Sequence, residues 1–232
     1  MREARHHFHD AMRSLEDEVQ KMGSATQRQL DRALKALISG DIKECDAVVA
    51  GDDLIDGMYL DVERRILDLF ALQTPVASDL RLLTSLLHIN LHLERIADMA
   101  VNLAKITKLA DGLPRNPKVL EHLEEMGGIA LRMVGAAMDA FGRRDIDLCR
   151  KLPEMDDPLD RLNRGMLEAV LETAGDRRSL EWGIRMHVVS RQIERVGDHA
   201  VDIGEQVAFL VTGVFEEFTD ASHPEVEHPS TE

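Results

Sequence analysis

The stretch LERIADMAVN, residues 93–102, returns one hundred residues later as IERVGDHAVD, residues 193–202. Each stretch places a glutamate and an aspartate four positions apart inside a largely apolar run. Side chains four positions apart lie on the same face of an α-helix. Each stretch therefore predicts a helix that carries two carboxylates along one face. Because the pattern occurs twice, any explanation of these carboxylates must apply to both copies.

The two stretches belong to an internal repeat that spans most of the chain. Identical residues recur at a shift of 104 before the last helix of each copy, and at a shift of 100 within it. The matches at the longer shift include Met22-Gly23 with Met126-Gly127, Cys45 with Cys149, and Asp52-Asp53 with Asp156-Asp157. The second copy is therefore four residues shorter between its second and third helices. Such self-similarity indicates two copies of one supersecondary unit.

Composition indicates that both units are helical. Hydrophobic residues make up 44% of the 232 residues, whereas aromatic residues make up only 3%. Strands favour aromatic and β-branched residues, while helices favour residues such as Leu, Ala, Met and Arg. We expect an all-α fold of two pseudo-symmetric three-helix bundles with elongated, spectrin-like helices. The predicted helices are 5–39, 41–71 and 78–110 in the first bundle, and 118–141, 145–174 and 179–211 in the second.

The expected domain boundaries follow from the prolines and glycines that separate the predicted helices. The first unit covers residues 1–110, and the segment DGLPRNP, residues 111–117, contains two prolines and a glycine and predicts a linker. The second unit covers residues 118–214. Residues 215–232 are polar and acidic, with two prolines, and predict a disordered tail.

Charge and hydropathy exclude several classes of function. The formal net charge is −15, which argues against a nucleic-acid-binding face and against adsorption to an anionic membrane. No apolar stretch approaches the roughly 20 residues of a membrane span, and the polar start MREARHHFHD does not resemble a signal peptide. We therefore expect a cytoplasmic protein without membrane insertion. Its two cysteines are expected to be reduced and buried.

A second set of acid pairs accompanies the first. On the middle helix of each unit, two aspartates again lie four positions apart. If the two helices face each other, about four carboxylates converge in each unit, and burial makes several like charges costly without protonation or a cation. The candidate metal ligands are Asp52, Asp56, Glu94 and Asp98 in the first unit, and Asp156, Asp160, Glu194 and Asp198 in the second. Oxygen ligands suit Mg²⁺, Ca²⁺ and Mn²⁺, and iron or zinc also accept carboxylates.

Three observations qualify this hypothesis. On an acidic helical protein, an acid pair four positions apart is commonly a solvated face, so an acidic bundle with no metal is the alternative. In the second unit, Pro158 lies between the two aspartates. Proline favours the first turn of a helix, which predicts Asp157 as N-cap and leaves Asp156 outside the helix. Arg191 also adds a positive charge near the second group.

The histidines are weaker candidates. His6, His7 and His9 form a polar cluster that we expect to be exposed. His88 and His92 lie four positions apart but point away from the acid stripe, which predicts surface histidines. His199 follows Asp198 and is expected, at most, to support a metal ligand from outside.

The repeated motifs give the chain a resemblance to the PhoU family of phosphate-signalling regulators. The resemblance extends from about Phe8 to Val214. It rests on FHDAMRSLEDEVQKMG, DDLID, MDDPLD and, above all, on the two stretches quoted first. The resemblance implies a pair of three-helix bundles whose acid pairs bind metal clusters, commonly of iron or zinc, at the eight acids named above.

The resemblance also implies a function. The family restrains phosphate-starvation signalling as an adaptor between the ATPase of a phosphate ABC transporter and a phosphate-sensing histidine kinase. We therefore expect a non-enzymatic regulator of phosphate uptake, a negative regulator of the phosphate regulon, with a homodimer left open. The alternative is a di-metal carboxylate oxidoreductase or a metal-storage protein, but neither acid pair supplies the Glu-x-x-His histidine of ferritin-like sites.

Overall fold

The computed structural model describes residues 2–72, 75–172 and 175–218, with side chains from residue 6 onward. All regular secondary structure in these ranges is helical, as the composition predicts. The first repeat contains α1 (Arg2–Ser39), α2 (Ile42–Ala50), α3 (Asp52–Leu72) and α4 (Ser78–Leu109). The second contains α5 (Pro117–Arg143), α6 (Ile146–Cys149), α7 (Leu152–Leu171) and α8 (Arg177–Thr212). The expected pair of three-helix repeats is confirmed, with the middle helix of each divided in two.

Polar side chains fix where several helices begin. Asp41 accepts hydrogen bonds from the backbone N–H groups of Lys43 and Glu44, as predicted for an N-cap. Asn116 caps α5 in the same way, directly before Pro117, whose missing N–H costs nothing in a first turn. Asp176 caps α8. These caps satisfy backbone donors that have no partner inside the helix.

The predicted middle helices, 41–71 and 145–174, are each interrupted near their start. In the first repeat, Gly51 separates α2 from α3, although its N–H still bonds to Ala47 and Val48. In the second, the short α6 ends before Leu152-Pro153, and Pro153 lies in the first turn of α7. A proline in a first turn starts a new helix rather than continuing the previous one.

The prediction for Pro158 is wrong. Pro158 lies inside α7, and Asp156 is a helical residue that is only 2% exposed. Because Pro153 already occupies the first turn, the helix starts at Leu152, more than one turn before Asp157. The interior proline removes one backbone hydrogen bond, but it does not exclude Asp156 from the helix.

The helices pack within each repeat and also between repeats. Within repeats, α1 and α3 contact α4, while α5 and α7 contact α8. Between repeats, α4 packs along α8, and α1 packs against α5. Glycines allow α1 and α5 to approach closely: a Cβ at Gly127 would lie 2.7 Å from Leu34 Cδ2, and one at Gly135 would lie 2.9 Å from Gln27 Nε2. Residues buried on both sides of these contacts form one core.

Cys45 and Cys149 are buried free thiols within this core, as expected.

Residues 215–218 follow α8, and the Phe218 N–H donates to Glu205 Oε1 at 2.6 Å. The remainder of the predicted tail, residues 219–232, lies outside the described residues. Within the described helices, none has a segment long and apolar enough to span a membrane.

Candidate metal centres

The acids of the first repeat converge where α3 runs beside α4. We call Asp52, Asp56, Glu94 and Asp98 the first carboxylate group. Burial raises the pKa of Asp52, and the charges of Asp56 and Asp98 raise it further. Burial also raises the pKa of Glu94, with contributions from Asp98, Asp56 and Asp52, while Arg95 opposes the shift. The acids of α3 and α4 are thus close enough for their charges to act on Asp52 and Glu94.

The burial of this group follows from the sequence of α4. The apolar residues beside the acid stripe are all buried against neighbouring helices; they are Leu86, Ile89, Leu93, Ile96, Ala97, Ala100 and Ala104. The acids lie at the edge of this packed face, where the backbone holds them close to α3. Glu94 is therefore largely desolvated, whereas Asp98 stays 44% exposed and Asp56 of α3 is exposed.

Two buried oxygens in the first carboxylate group test whether a cation would fit. Asp52 Oδ1 and Glu94 Oε2 are buried and have no hydrogen-bond partner among the described residues. A buried acceptor without a partner is costly, and a bound cation would satisfy both oxygens and offset the mutual repulsion. The donor set is all oxygen, which suits hard divalent ions and is also accepted by iron and zinc. The residues therefore fit a metal.

The second carboxylate group is Asp156, Asp160, Glu194 and Asp198, on α7 and α8. Desolvation of its carboxyl group by neighbouring atoms raises the pKa of Asp198 to about 6, and the charges of Glu194 and Asp160 add to the shift, although the residue as a whole is exposed. Burial likewise raises the pKa of Glu194, an effect that Arg191 opposes and Asp160 strengthens. Glu194 Oε2 is another buried oxygen without a hydrogen-bond partner in the described ranges.

Asp156 lies deeper than the other acids of the second group. A Cβ atom placed on Gly197 would overlap Asp156 Oδ1 and would lie 2.7 Å from Leu159 Cδ2. The carboxyl group of Asp156 therefore rests against the α8 backbone one residue before Asp198. The corresponding position in the first repeat is Ala97, so only the second repeat allows this close approach.

Arginines neutralise the two groups unequally. In the second group, Arg191 Nη1 lies 3.0 Å from Glu194 Oε1, and Arg164 Nη1 lies 3.4 Å from Asp160 Oδ2. In the first group, Arg95 lies 3.6 Å from Glu94 and 4.0 Å from Asp98, at the limit of an ion pair. The predicted extra cation near the second group is therefore present. A metal ion there would compete with two ion pairs.

Sequence reasoning missed two amides beside the acids. Gln29 on α1 opposes the rise in the pKa of Asp52, and Asn163 on α7 opposes the rise in that of Glu194. Both amides are buried. Asn163 follows Asp160 by three positions and so lies on the same helix face, which is a usable signal. Gln29 lies on another helix and carries no local signal.

A third cluster lies between α4 and α8, next to Asp198 of the second carboxylate group. The Nδ1 atoms of His92 and His199 are 3.1 Å apart, and Asp202 Oδ2 lies 3.4 Å from the first and 3.2 Å from the second. We call these residues the histidine–aspartate cluster; together they offer three ligand atoms that could hold a metal ion. The exposure predicted for His88 is confirmed, but the prediction for His92 is wrong because α8 covers that side of α4.

Burial lowers the pKa of His92 in this cluster to about 4. The charge of Asp202 opposes the shift, while His199 and His88 add to it. The ring of His92 is therefore neutral at physiological pH.

Replacing Gly197 should disturb the second carboxylate group. The Cβ of Gly197→Ala would collide with Asp156 and Leu159, so we expect the free energy of unfolding to fall by about 1–3 kcal/mol in urea denaturation. Gly165→Ala on α7 is the control, because no atom lies within 4 Å of its Cβ and alanine favours a helix by up to about 1 kcal/mol. Equal effects of both substitutions would contradict this packing.

The raised pKa of Asp198 predicts a pH effect in protein kept metal-free by a chelator. Between its ordinary value of 3.8 and about 6, the folded state holds more protons at Asp198 than the unfolded state. The free energy of unfolding should therefore fall as pH rises through this window. Because asparagine stays neutral, Asp198→Asn should match the wild type near pH 4 and exceed its stability at pH 7.

Urea denaturation at pH 4, 5, 6 and 7 would measure this difference. Asp139→Asn, which removes an exposed carboxylate on α5, controls for the change in net charge. If Asp198→Asn were the less stable protein at pH 7, the carboxyl group would be stabilised rather than strained by its surroundings.

Comparison with known proteins agrees with this architecture. A family model described as the PhoU domain matches the chain twice, over residues 19–107 and 123–207. The chain is 30% identical over 208 residues to a phosphate-specific transport system accessory protein PhoU homologue of Methanothermobacter thermautotrophicus, covering 88% of this chain and 94% of that protein. A homologue from Mycobacterium tuberculosis is likewise 30% identical over 208 residues, covering 89% and 94%.

Solved structures give the same result. The crystal structure of PhoU from Pseudomonas aeruginosa superposes with a TM-score of 0.82 at 30% identity, covering 89% of this chain and all of that one. The Streptococcus pneumoniae PhoU structure has the same TM-score at 24% identity, covering 90% of this chain and 99% of that one, and supports the fold alone. The two matched segments hold both carboxylate groups, on the paired helices of each repeat. This chain therefore belongs to the PhoU family, whose members are regulatory proteins rather than enzymes.

Proposed function

We propose that this protein is a metal-binding cytoplasmic regulator of phosphate uptake that acts as an adaptor between transport and signalling. The curated relatives named above are accessory proteins of phosphate-specific transport systems, and membership of their family makes this chain a regulatory or accessory protein of phosphate transport. The finer proposal is that the two carboxylate groups bind metal and that the helical body docks on cytoplasmic partners.

The observation that carries the metal proposal is the conflict within each carboxylate group. Burial and like charges raise the pKa of Asp52, Glu94, Glu194 and Asp198, yet the helices hold these acids together. Buried carboxylates need a proton, a hydrogen-bond donor or a cation. A divalent or trivalent ion would both satisfy the buried oxygens that lack a hydrogen-bond partner and cancel the repulsion between the carboxylates. Iron and zinc are favoured by the family resemblance, and Mg²⁺, Mn²⁺ or Ca²⁺ by the all-oxygen ligands.

Removing the first pair of acids should remove about half of the metal bound by the carboxylate groups. Glu94→Gln with Asp98→Asn preserves shape but deletes two anionic ligands from one of two groups. Elemental analysis of protein purified without chelator would measure the loss. Glu121→Gln with Glu125→Gln is the matched control, because these acids are also four positions apart on a helix but are exposed. Identical metal content in the Glu94/Asp98 variant and the control would contradict the proposal.

The two carboxylate groups should hold metal with different strength. Arg191 and Arg164 already pair with acids of the second group at 3.0 and 3.4 Å, so an ion there must displace or tolerate two positive charges. We expect a chelator to strip the second group first, and Arg191→Gln to slow that step. Metal retention can be followed by elemental analysis after timed dialysis of variants that each keep one group. Equal release rates from the two groups would count against this argument.

The partners we propose are the ATPase of a phosphate ABC transporter and a phosphate-sensing histidine kinase. The names of the relatives support an association with the transport system, and the family resemblance supports the kinase. A helical body with a net charge of −15 repels an anionic lipid surface at distances within the Debye length, about 8 Å at physiological salt. Docking on membrane proteins rather than on lipid would therefore bring this chain to the membrane.

Deleting this protein should derepress phosphate-starvation genes in phosphate-rich medium. In addition, a fraction of the protein should sediment with membranes when the transporter is present and remain in the supernatant when it is absent. Reporter expression and quantitative immunoblotting of membrane fractions would measure both effects. Membrane association that persists in a strain lacking both the transporter and the kinase would show that the adaptor proposal is wrong.

A further inference from the structure

The histidine–aspartate cluster has a geometry that its own protons cannot satisfy. His92 Nδ1, His199 Nδ1 and Asp202 Oδ2 form a triangle with edges of 3.1, 3.2 and 3.4 Å. A ring nitrogen carries either one proton or one lone pair. With the carboxylate ionised, two protonated Nδ1 atoms leave two N–H groups facing each other, and one protonated Nδ1 leaves a lone pair facing the carboxylate. At least one edge is therefore repulsive in every tautomer.

A metal ion removes this conflict. Zinc binds imidazole nitrogen at about 2.0–2.1 Å and carboxylate oxygen at about 2.0–2.2 Å with tetrahedral geometry, which separates neighbouring ligand atoms by about 3.3 Å. The three edges of the triangle bracket that value. Two imidazoles and one carboxylate form a common zinc ligand set that leaves one position open. Asp202 is 41% exposed while His92 and His199 are 17% and 18% exposed, so the open position faces solvent.

The cluster also has no counterpart in the internal repeat. At a shift of 100 residues, the equivalent positions are Gln192, Met99 and Asn102, none of which offers imidazole or carboxylate. Its ligands come from both repeats, with His92 on α4 and His199 and Asp202 on α8. The cluster is therefore different in chemistry and in position from the two carboxylate groups, each of which lies within one repeat.

We propose that His92, His199 and Asp202 bind one divalent transition-metal ion of the zinc class, with water as the fourth ligand. The ion ties the first repeat to the second across the α4–α8 contact. Because binding requires both helices in place, the ion stabilises the assembled pair of repeats. The ligands of this site are different residues from those of the proposed carboxylate centres, so either proposal can fail while the other stands.

Cobalt substitution tests the proposal, because four-coordinate Co²⁺ absorbs visible light much more strongly than six-coordinate Co²⁺. The full-length protein is prepared without an affinity tag and with His6, His7 and His9 changed to Gln, then stripped with a chelator and titrated with one equivalent of Co²⁺. We expect an intense visible band that Zn²⁺ abolishes. His92→Gln and His199→Gln should each weaken binding by about 100-fold or more, exceeding the roughly 10–100-fold cost of losing only a supporting partner.

Two controls separate this site from the others. His88→Gln removes an exposed histidine one turn away on α4 and should keep the band. Glu94→Gln with Asp98→Asn disables the first carboxylate group and should also keep it. An unchanged band in His92→Gln or His199→Gln would overturn the proposal, as would a weak, six-coordinate spectrum in the parent protein.

A second measurement covers the case in which those variants do not fold, as judged by circular dichroism. X-ray absorption of the parent protein with one equivalent of Zn²⁺ should show about two imidazole rings in the coordination shell, as the ligand set requires. A shell of oxygen atoms alone would overturn the proposal. The parent protein should also melt at a higher temperature with Zn²⁺ than without it, whether or not Glu94 and Asp98 are present.

Discussion

The packing of α4 against α8 governs the rest of the structure. These two helices are the last of each repeat, and each is covered by helices of its own repeat and by the other long helix. Ser85 donates to the backbone carbonyl of Gln206 across this contact at 3.2 Å. Because both helices are enclosed on several sides, the acids at the edges of these contacts, such as Glu94 and Glu194, are partly buried.

The confinement of α4 and α8 gives the carboxylate groups their chemistry. An acid pair on an isolated helix costs a few tenths of a kcal/mol and titrates normally. In this fold, α3 and α7 close over the pairs with further acids, and burial is the largest cause of each raised pKa. The same apolar packing that stabilises the repeats therefore brings together the two carboxylate groups for which we propose metal binding.

The two repeats are equivalent in architecture but not in detail. Gly197 lets Asp156 rest against the α8 backbone, whereas Ala97 closes that space in the first repeat. Two arginines pair with the second group, while one approaches the first. The histidine–aspartate cluster has no equivalent under the pseudo-symmetry that relates the two repeats. Duplication of a helical unit thus supplies the frame, and substitutions at its interfaces supply different electrostatic environments.

The sequence alone determined the helical class, the two repeats, the N-cap Asp41 and the acid pairs. These features depend on periodicity and local hydrogen bonding, which act between residues close in the chain. It placed Pro158 at the start of a helix because local preference favours that position, whereas Pro153 had already begun the helix more than one turn earlier. The prediction from the sequence treated His92 as a surface residue, because a helical wheel distinguishes the faces of a helix but does not identify which helix covers each face. Only the tertiary structure brought α8 over that face, joining residues 107 positions apart, since contacts between repeats depend on packing of whole helices rather than on any local pattern.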